Sequence, residues 1–142
     1  MNEIQVVIFE IDSNYYGVDI MKVQEILKMA EITKIPNSKS YVEGVLNLRG
    51  TIIPILDIKT LLMENFSSSN KPQQILVLRC DNIKFGILVE KVNEAIYIDK
   101  NIIEPADNNN KFQINGKYIE GIAKTDNRLI LMLNIEELIS EN

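Results

Sequence analysis

The sequence predicts an all-β fold with short helices, built as two small β-barrels that pack pseudo-symmetrically. Two observations predict it: an excess of β-branched aliphatic residues and an internal repeat. The 142 residues include 24 Ile and 9 Val against 4 Ala, and β-branched side chains favour strands over helices. Many short strands with few helices are typical of small barrels or sandwiches. We expect residues 1–142 to form a single domain.

The repeat appears when the chain is aligned with itself. A shift of 69 residues places 6–27 on 75–96, and a shift of 77 residues places 41–62 on 118–139. We therefore predict repeats over about 4–63 and 73–139, joined by the polar, Ser-rich linker 64–72. The difference between the shifts indicates a polar insert at 106–113. About 60 residues are marginal for a separate core, so the two repeats are expected to share one.

Each repeat predicts the same order of elements. A first strand (4–11 or 75–80) is followed by a turn and a second strand. A third segment (19–28 in the first repeat) is predicted to form one helical turn that leads into a strand. A hairpin follows, with the two-residue tip Arg49-Gly50 or Asp126-Asn127. Gly or Asn at the second tip position suits the positive φ of such turns.

A short helix is predicted to end each repeat. Asp57 and Asn134 are suitable N-cap residues, and Glu137 is placed to complete a capping box with Asn134. We therefore assign Gly50 to the hairpin turn and Asp57 to the helix cap.

Composition excludes several classes of function. The chain has no His and one Cys, Cys80, which lies in an apolar run and is expected to be a small buried hydrophobe. This removes His-dependent nucleophiles and most zinc sites. The net charge of −5 and the lack of a basic patch predict no nucleic-acid partner. We expect no signal peptide, no direct membrane insertion, no phosphate-binding glycine motif, no metal and no cofactor.

The remaining candidates for chemistry are carboxylates related by the repeat. Asp12 and Asp81 could form a shared-proton dyad, but both lie in ordinary turn contexts. Glu25 and Glu94 are the other pair, and each is expected to be solvated or ion-paired. A carboxylate-based enzyme with its site between the barrels stays open as an alternative. Such an acid–base site would require Glu25 to face Glu94 in a closed pocket.

At these residues the sequence resembles the CheW family of bacterial chemotaxis adaptors. The segment GVLNLRGTIIPILDIKTLL (44–62) resembles the family's signature, and YYGVDIMKVQEIL (15–27) and FGILVEKVNEAI (85–96) resemble two further segments. Glu90 stands where the family usually has Asp. The resemblance covers nearly all of residues 4–139.

The resemblance implies two intertwined, five-stranded, SH3-like β-barrels with a short C-terminal helix, and no catalytic activity. It implies a scaffold that couples the cytoplasmic tips of chemoreceptors to the regulatory domain of the histidine kinase CheA. Val23, Glu25 and Arg49 match positions of receptor coupling, and the Glu and Arg are expected to pair. Ile52, Val92 and Ala95 match groove-lining positions. Residues facing the kinase are not assigned.

The composition and length of the chain distinguish between the types of protein that share this resemblance. It has no His for a phospho-acceptor domain and no length for a receiver domain. A stand-alone adaptor, cytoplasmic and located at membrane-associated receptor arrays, is therefore the expected function. An adaptor of a non-chemotactic signalling array is the alternative within the same class.

Overall fold

The computed structural model describes residues 2–62, 71–105 and 116–140. The strands are β1 (Glu3–Ile11), β2 (Asn14–Asp19), β3 (Val23–Lys28), β4 (Val42–Leu48), β5 (Thr51–Leu56), β6 (Gln74–Cys80), β7 (Ile83–Val89), β8 (Lys91–Asp99), β9 (Ile103–Pro105), β10 (Ile119–Thr125) and β11 (Arg128–Leu133). The α-helices are α1 (Lys59–Leu62) and α2 (Ile135–Ser140). The insert 106–113, and the linker except for Lys71 and Pro72, lie outside the described residues. No described helix is long and apolar enough to cross a membrane.

The strands form two sheets, and each sheet takes strands from both repeats. The first sheet has the order β8-β1-β2-β11-β10-β9, and the second has the order β3-β6-β7-β5-β4. The first two strands of each repeat are thus inserted between the third and the last strands of the other. The parallel pairs β2–β11 and β5–β7 join the repeats within each sheet. The predicted all-β, intertwined and pseudo-symmetric fold is confirmed, with β9 as a sixth strand in the first sheet.

The second sheet is strongly curved. Its edge strands are β3 and β4, yet Thr33, soon after β3, pairs with Val45 of β4 through backbone hydrogen bonds of 2.9 and 2.8 Å. The five residue steps from Lys28 to Thr33 span at most about 17 Å. The two edges therefore lie close to each other, as a barrel requires. Complete closure of each sheet into a barrel stays a prediction.

Among the described residues, buried apolar side chains form three clusters, each with residues from both repeats. The shared cluster draws on both sheets and includes Phe9, Tyr16, Leu76, Phe85 and Leu131. The first sheet has its own cluster of Val6, Ile8, Ile98, Ala123, Ile130 and Met132. The second sheet has Leu46, Ile53, Ile55, Ile75, Val77 and Leu88. The expectation that the repeats share a core is confirmed, and Cys80 is buried as predicted.

The local predictions for the third segment and the hairpins are mostly confirmed. Ile20–Lys22 forms a single 3₁₀ turn that leads directly into β3. The hairpin β4–β5 turns at Arg49-Gly50, and β10–β11 turns at Asp126-Asn127. The expected positive φ at Asn127 is wrong, because neither Asp126 nor Asn127 is among the positive-φ residues of the described chain. Equal tip length therefore does not impose equal turn geometry in the two repeats.

The helix caps are confirmed in part. The Asp57 carboxylate accepts a hydrogen bond from the Lys59 N–H at 3.2 Å, and the Asn134 side chain accepts one from the Glu137 N–H at 3.2 Å. The second half of the predicted capping box is wrong, because the Asn134 N–H donates to the Tyr118 carbonyl at 2.8 Å. The 3₁₀ turn Gly116–Tyr118, which precedes β10, thus supplies the acceptor that Glu137 was expected to supply.

Gly44 allows the close approach of Thr33 to β4, and its replacement has a predictable cost. A Cβ at this position would overlap the backbone carbonyl of Thr33. We expect Gly44→Ala to lower the free energy of unfolding by about 3 kcal/mol, and the melting temperature by about 10 °C. Thermal denaturation followed by circular dichroism measures this.

The repeat-related Gly121 provides the matched control. A Cβ there would lie 2.5 Å from a methyl carbon of Ile103 and 3.0 Å from the Glu104 carbonyl oxygen. Because a side-chain methyl moves more easily than a backbone carbonyl, Gly121→Ala should cost less. Equal losses in the two variants would contradict the role given to the Thr33 backbone.

Candidate functional site

Arg49 is presented by a tight and well-defined turn. Arg49 and Gly50 have φ of 51° and 88°, which is the left-handed pair that a two-residue hairpin of this kind needs. The Gly50 N–H donates to the Asn47 side-chain oxygen at 2.9 Å, and Leu48 is in register with Thr51. The guanidinium is therefore carried by a fixed backbone while its side chain is 69% exposed.

Glu25 faces Arg49, as expected. The Arg49 guanidinium donates two hydrogen bonds to the carboxylate, one from Nη1 to Oε1 at 3.2 Å and one from Nη2 to Oε2. Glu25 follows a β-bulge at Gln24 in the edge strand β3, and Arg49 lies beyond the opposite edge strand. The curvature of the second sheet is what brings the two groups together. The pair is bidentate, which fixes the orientation of both side chains.

The pair changes the titration of both groups. The hydrogen bond from Arg49 lowers the pKa of Glu25, and the same bond raises the pKa of Arg49. Because the folded-state pKa of Glu25 is depressed, the pair is present above the ordinary carboxyl pKa. It is lost as pH falls through the lowered value.

We expect Arg49→Ala to raise the pKa of Glu25 toward the ordinary value of about 4.3. Titration of the side-chain carboxyl carbons by NMR measures this. Glu136 is the internal control, because its pKa is lowered by a different cation, Lys22. An unchanged Glu25 pKa in the variant would contradict a solution pair between these groups.

The second repeat contains a related pair that the sequence alignment missed. Arg128 Nη2 donates to Glu94 Oε1 at 2.5 Å, and the Arg128 guanidinium lies 5.4 Å from the centre of the Tyr15 ring. The alignment places Asp126 at the position of Arg49, so it gave no reason to single out Arg128. Its side chain is only 25% exposed. The two repeats thus use a Glu–Arg pair in matching places, and in the second repeat the guanidinium also lies over an aromatic ring.

The other predicted site residues fall into two groups. Val23 and Val92 are half-buried and pack against the shared cluster, and the Val92 N–H donates to the Gln74 side chain at 2.8 Å. Ile52 is exposed on the same hairpin as Arg49, and Ala95 is exposed on β8 beside Val7. The structure joins Glu25 and Arg49 directly and keeps Val23 two residues away on β3.

Comparison with known proteins adds an independent observation. The family model described as "CheW-like domain" matches residues 5–142. This chain belongs to the CheW-like family. A chemotaxis protein CheW of Thermotoga maritima is 35% identical over 141 residues, covering 99% of this chain and 91% of that protein. A chemotaxis protein CheW of Klebsiella aerogenes is 31% identical, covering 94% and 80%.

A solved structure agrees with this CheW-like fold. The crystal structure of the scaffolding protein TtCheW from Thermoanaerobacter tengcongensis matches with a TM-score of 0.79 and 36% identity. The match covers 92% of this chain and 83% of that chain. The agreement extends over both sheets and both repeats.

Within this CheW-like structure both glutamates that were considered for an acid–base site form ion pairs with arginines. Glu25 and Glu94 each pair with a different arginine instead of facing each other. Asp12 and Asp81 have φ of 51° and 55°, as turn residues do, and the Asp12 N–H donates to the Glu90 carboxylate at 2.5 Å. The geometry therefore favours the binding-pair interpretation of Glu25 over the acid–base interpretation.

Proposed function

We propose that this chain is a non-enzymatic chemotaxis adaptor that couples the cytoplasmic tips of chemoreceptors to the histidine kinase CheA. The observation that carries the proposal is the Glu25–Arg49 pair, an exposed guanidinium on a fixed turn within a CheW-like fold. Arginine is favoured at binding surfaces because its planar fork makes directed, paired hydrogen bonds. Relatives named chemotaxis proteins and a neighbour named a scaffolding protein support the same role.

The proposed receptor surface combines this charged pair with apolar side chains. Glu25 and Arg49 provide directed polar contacts, and Val23 and Val92 provide apolar edges that are already half-buried against the core. Ile52 and Ala95 add exposed apolar area. A helical receptor tip fits such a surface, because one helix face can present apolar and polar side chains together. The proposal assigns all six residues to receptor binding.

The proposed mechanism is bivalent binding by a scaffold. One surface holds the receptor tip, and a separate, unassigned surface holds the CheA regulatory domain. Linking the two contacts through one folded chain raises their effective concentration, so each contact can be modest. The proposed location is the cytoplasmic side of membrane-associated receptor arrays.

Calorimetric titration tests the proposal. The chain is titrated into the CheA regulatory domain of the same organism, and separately into a soluble chemoreceptor fragment that contains the cytoplasmic tip. We expect saturable one-to-one binding to the kinase domain and binding to the receptor fragment. No heat in either titration at high micromolar concentration would overturn the proposal, and kinase binding without receptor binding would overturn its receptor half.

A further inference from the structure

Each α-helix is linked to the other repeat by an ion pair, which we call a tie. The helix supplies the lysine in one tie and the glutamate in the other. Lys22, at the end of the 3₁₀ turn before β3, pairs with Glu136 of α2 at 2.7 Å. Glu90, between β7 and β8, pairs with Lys59 of α1 at 3.7 Å. The repeat alignment places Lys59 on Glu136, and it places Glu90 on Met21, next to Lys22. The ties therefore occupy matching places in the two repeats.

The two ties differ in burial and in what surrounds them. The side chains of Lys59 and Glu90 are only 11% and 15% exposed, and Glu90 also accepts hydrogen bonds from the turn at residues 12–13. Lys22 and Glu136 are 33% and 60% exposed, and Cys80 lies 3.9 Å from each of their charged atoms. The buried tie fixes a turn, whereas the exposed tie is open to water.

The exposed tie, Lys22–Glu136, lies next to a β-bulge in β3. The bulge at Gln24 interrupts the ladder between Val23 and Glu25, and a bulge leaves the strand locally unpaired and bent. On one side of this bulge Lys22 is held by Glu136, and on the other side Glu25 is held by Arg49. The course of the bulged segment is therefore set by two ion pairs as well as by the ladder.

We propose that Lys22 is a positioning residue that acts through Glu136, so that the C-terminal helix α2 holds β3 in its receptor-binding geometry. This inference rests on the proposed function and adds α2 to it as a support of the receptor surface. It also accounts for the placement of an ion pair at Lys22, directly before Val23, the first residue of β3 that pairs with β6.

Amide hydrogen exchange by NMR tests the tie without any partner. In Glu136→Gln we expect the amides of β3 to exchange about threefold to fivefold faster, the range that a partly exposed ion pair supports. The exchange rates in β6 and β7 should not change. Lys22→Ala should have the same effect, and the double variant should be no worse than either single variant, because both remove one interaction. The exchanged pair Lys22→Glu/Glu136→Lys should restore slow exchange.

Lys91 is the matched control. It aligns with Lys22 in the second repeat and makes no ion pair with the described part of the chain. Lys91→Ala should leave exchange in β3 and β8 unchanged. Unchanged β3 exchange in Glu136→Gln would overturn the inference, and so would faster exchange throughout the protein, which would indicate a general loss of stability.

Titration of the same variants with the soluble receptor fragment links the tie to binding. We expect Glu136→Gln to weaken binding by about the same threefold to fivefold factor. A loss in Lys22→Ala with none in Glu136→Gln would mean that Lys22 contacts the receptor directly, and would overturn its action through Glu136. If the wild type does not bind the fragment, the proposed function fails, and the exchange rates still decide whether the tie holds β3.

Discussion

Arg49→Ala is expected to weaken binding of a soluble receptor fragment by about thirtyfold, the loss typical of a binding hot spot. The melting temperature should change by less than about 2 °C, because an exposed turn residue contributes little to stability. The guanidinium is 69% exposed, and its only described hydrogen bonds are to Glu25. Calorimetry on the fragment and thermal denaturation of the variant measure the two effects separately.

The large expected loss of affinity has a physical reason: the Arg49 side chain is already ordered before a partner binds. The turn fixes its backbone, and the bidentate bond to Glu25 fixes its fork. A partner then gains a directed donor without the full cost of immobilising a long side chain. Arg49→Lys should recover only part of the affinity, since a single ammonium cannot reproduce two parallel bonds.

Arg128→Ala is the matched control, and it should lower the stability of the fold while leaving receptor binding nearly unchanged. Removing it breaks the bond to Glu94 and the contact with the Tyr15 ring. We expect a loss of about 1–2 kcal/mol in the free energy of unfolding, and less than a twofold change in receptor affinity. A fall in melting temperature in Arg49→Ala equal to that in Arg128→Ala would show that Arg49 is structural.

Neither repeat is expected to fold alone. Expressed separately, residues 1–70 and residues 71–142 should each lack the sheet signal in far-ultraviolet circular dichroism. Mixing them should restore it as a one-to-one complex. Every sheet requires strands from both repeats, and each of the three apolar clusters takes side chains from both. An isolated repeat therefore loses partners for all of its buried faces at once.

The charges of the two ties indicate why the complex should contain one copy of each repeat. Two first repeats paired with each other would place Lys22 against Lys59, and two second repeats would place Glu90 against Glu136. Like charges at these places disfavour both homodimers. Size-exclusion chromatography with light scattering distinguishes the pairings. A folded single repeat, or a stable homodimer of either, would contradict this interpretation.

The sequence alone predicted much of this fold from local signals. Runs of apolar residues and turn signals located the strands, and the self-alignment revealed the duplication that the two sheets follow. The turn at Arg49-Gly50 could be predicted because a glycine at the second position suits a turn with positive φ. The helix caps at Asp57 and Asn134 could be predicted because a capping hydrogen bond joins residues that are at most three positions apart.

The candidate site was predicted only where the family resemblance pointed to it. The resemblance indicated Glu25 and Arg49 and implied that they pair, whereas the residues by themselves predicted only that Glu25 is solvated or ion-paired and that Arg49 lies in an exposed turn. Nothing in the sequence indicated Arg128, because its partner Glu94 is 34 positions away and the repeat alignment offers Asp126 instead. The second half of the capping box was predicted wrongly for a similar reason, since Tyr118 supplies the acceptor from outside the helix.

What the sequence determined by itself is therefore local: where strands, turns and caps occur, and that they occur twice. What the tertiary structure decided is which repeat supplies the neighbours of each strand, and which distant charges meet. Local preferences act within a few residues along the chain, so they cannot select between pairing within a repeat and pairing across repeats. The shared core and the curvature of the sheets make that selection, and they also bring Glu25 to Arg49 and Lys22 to Glu136.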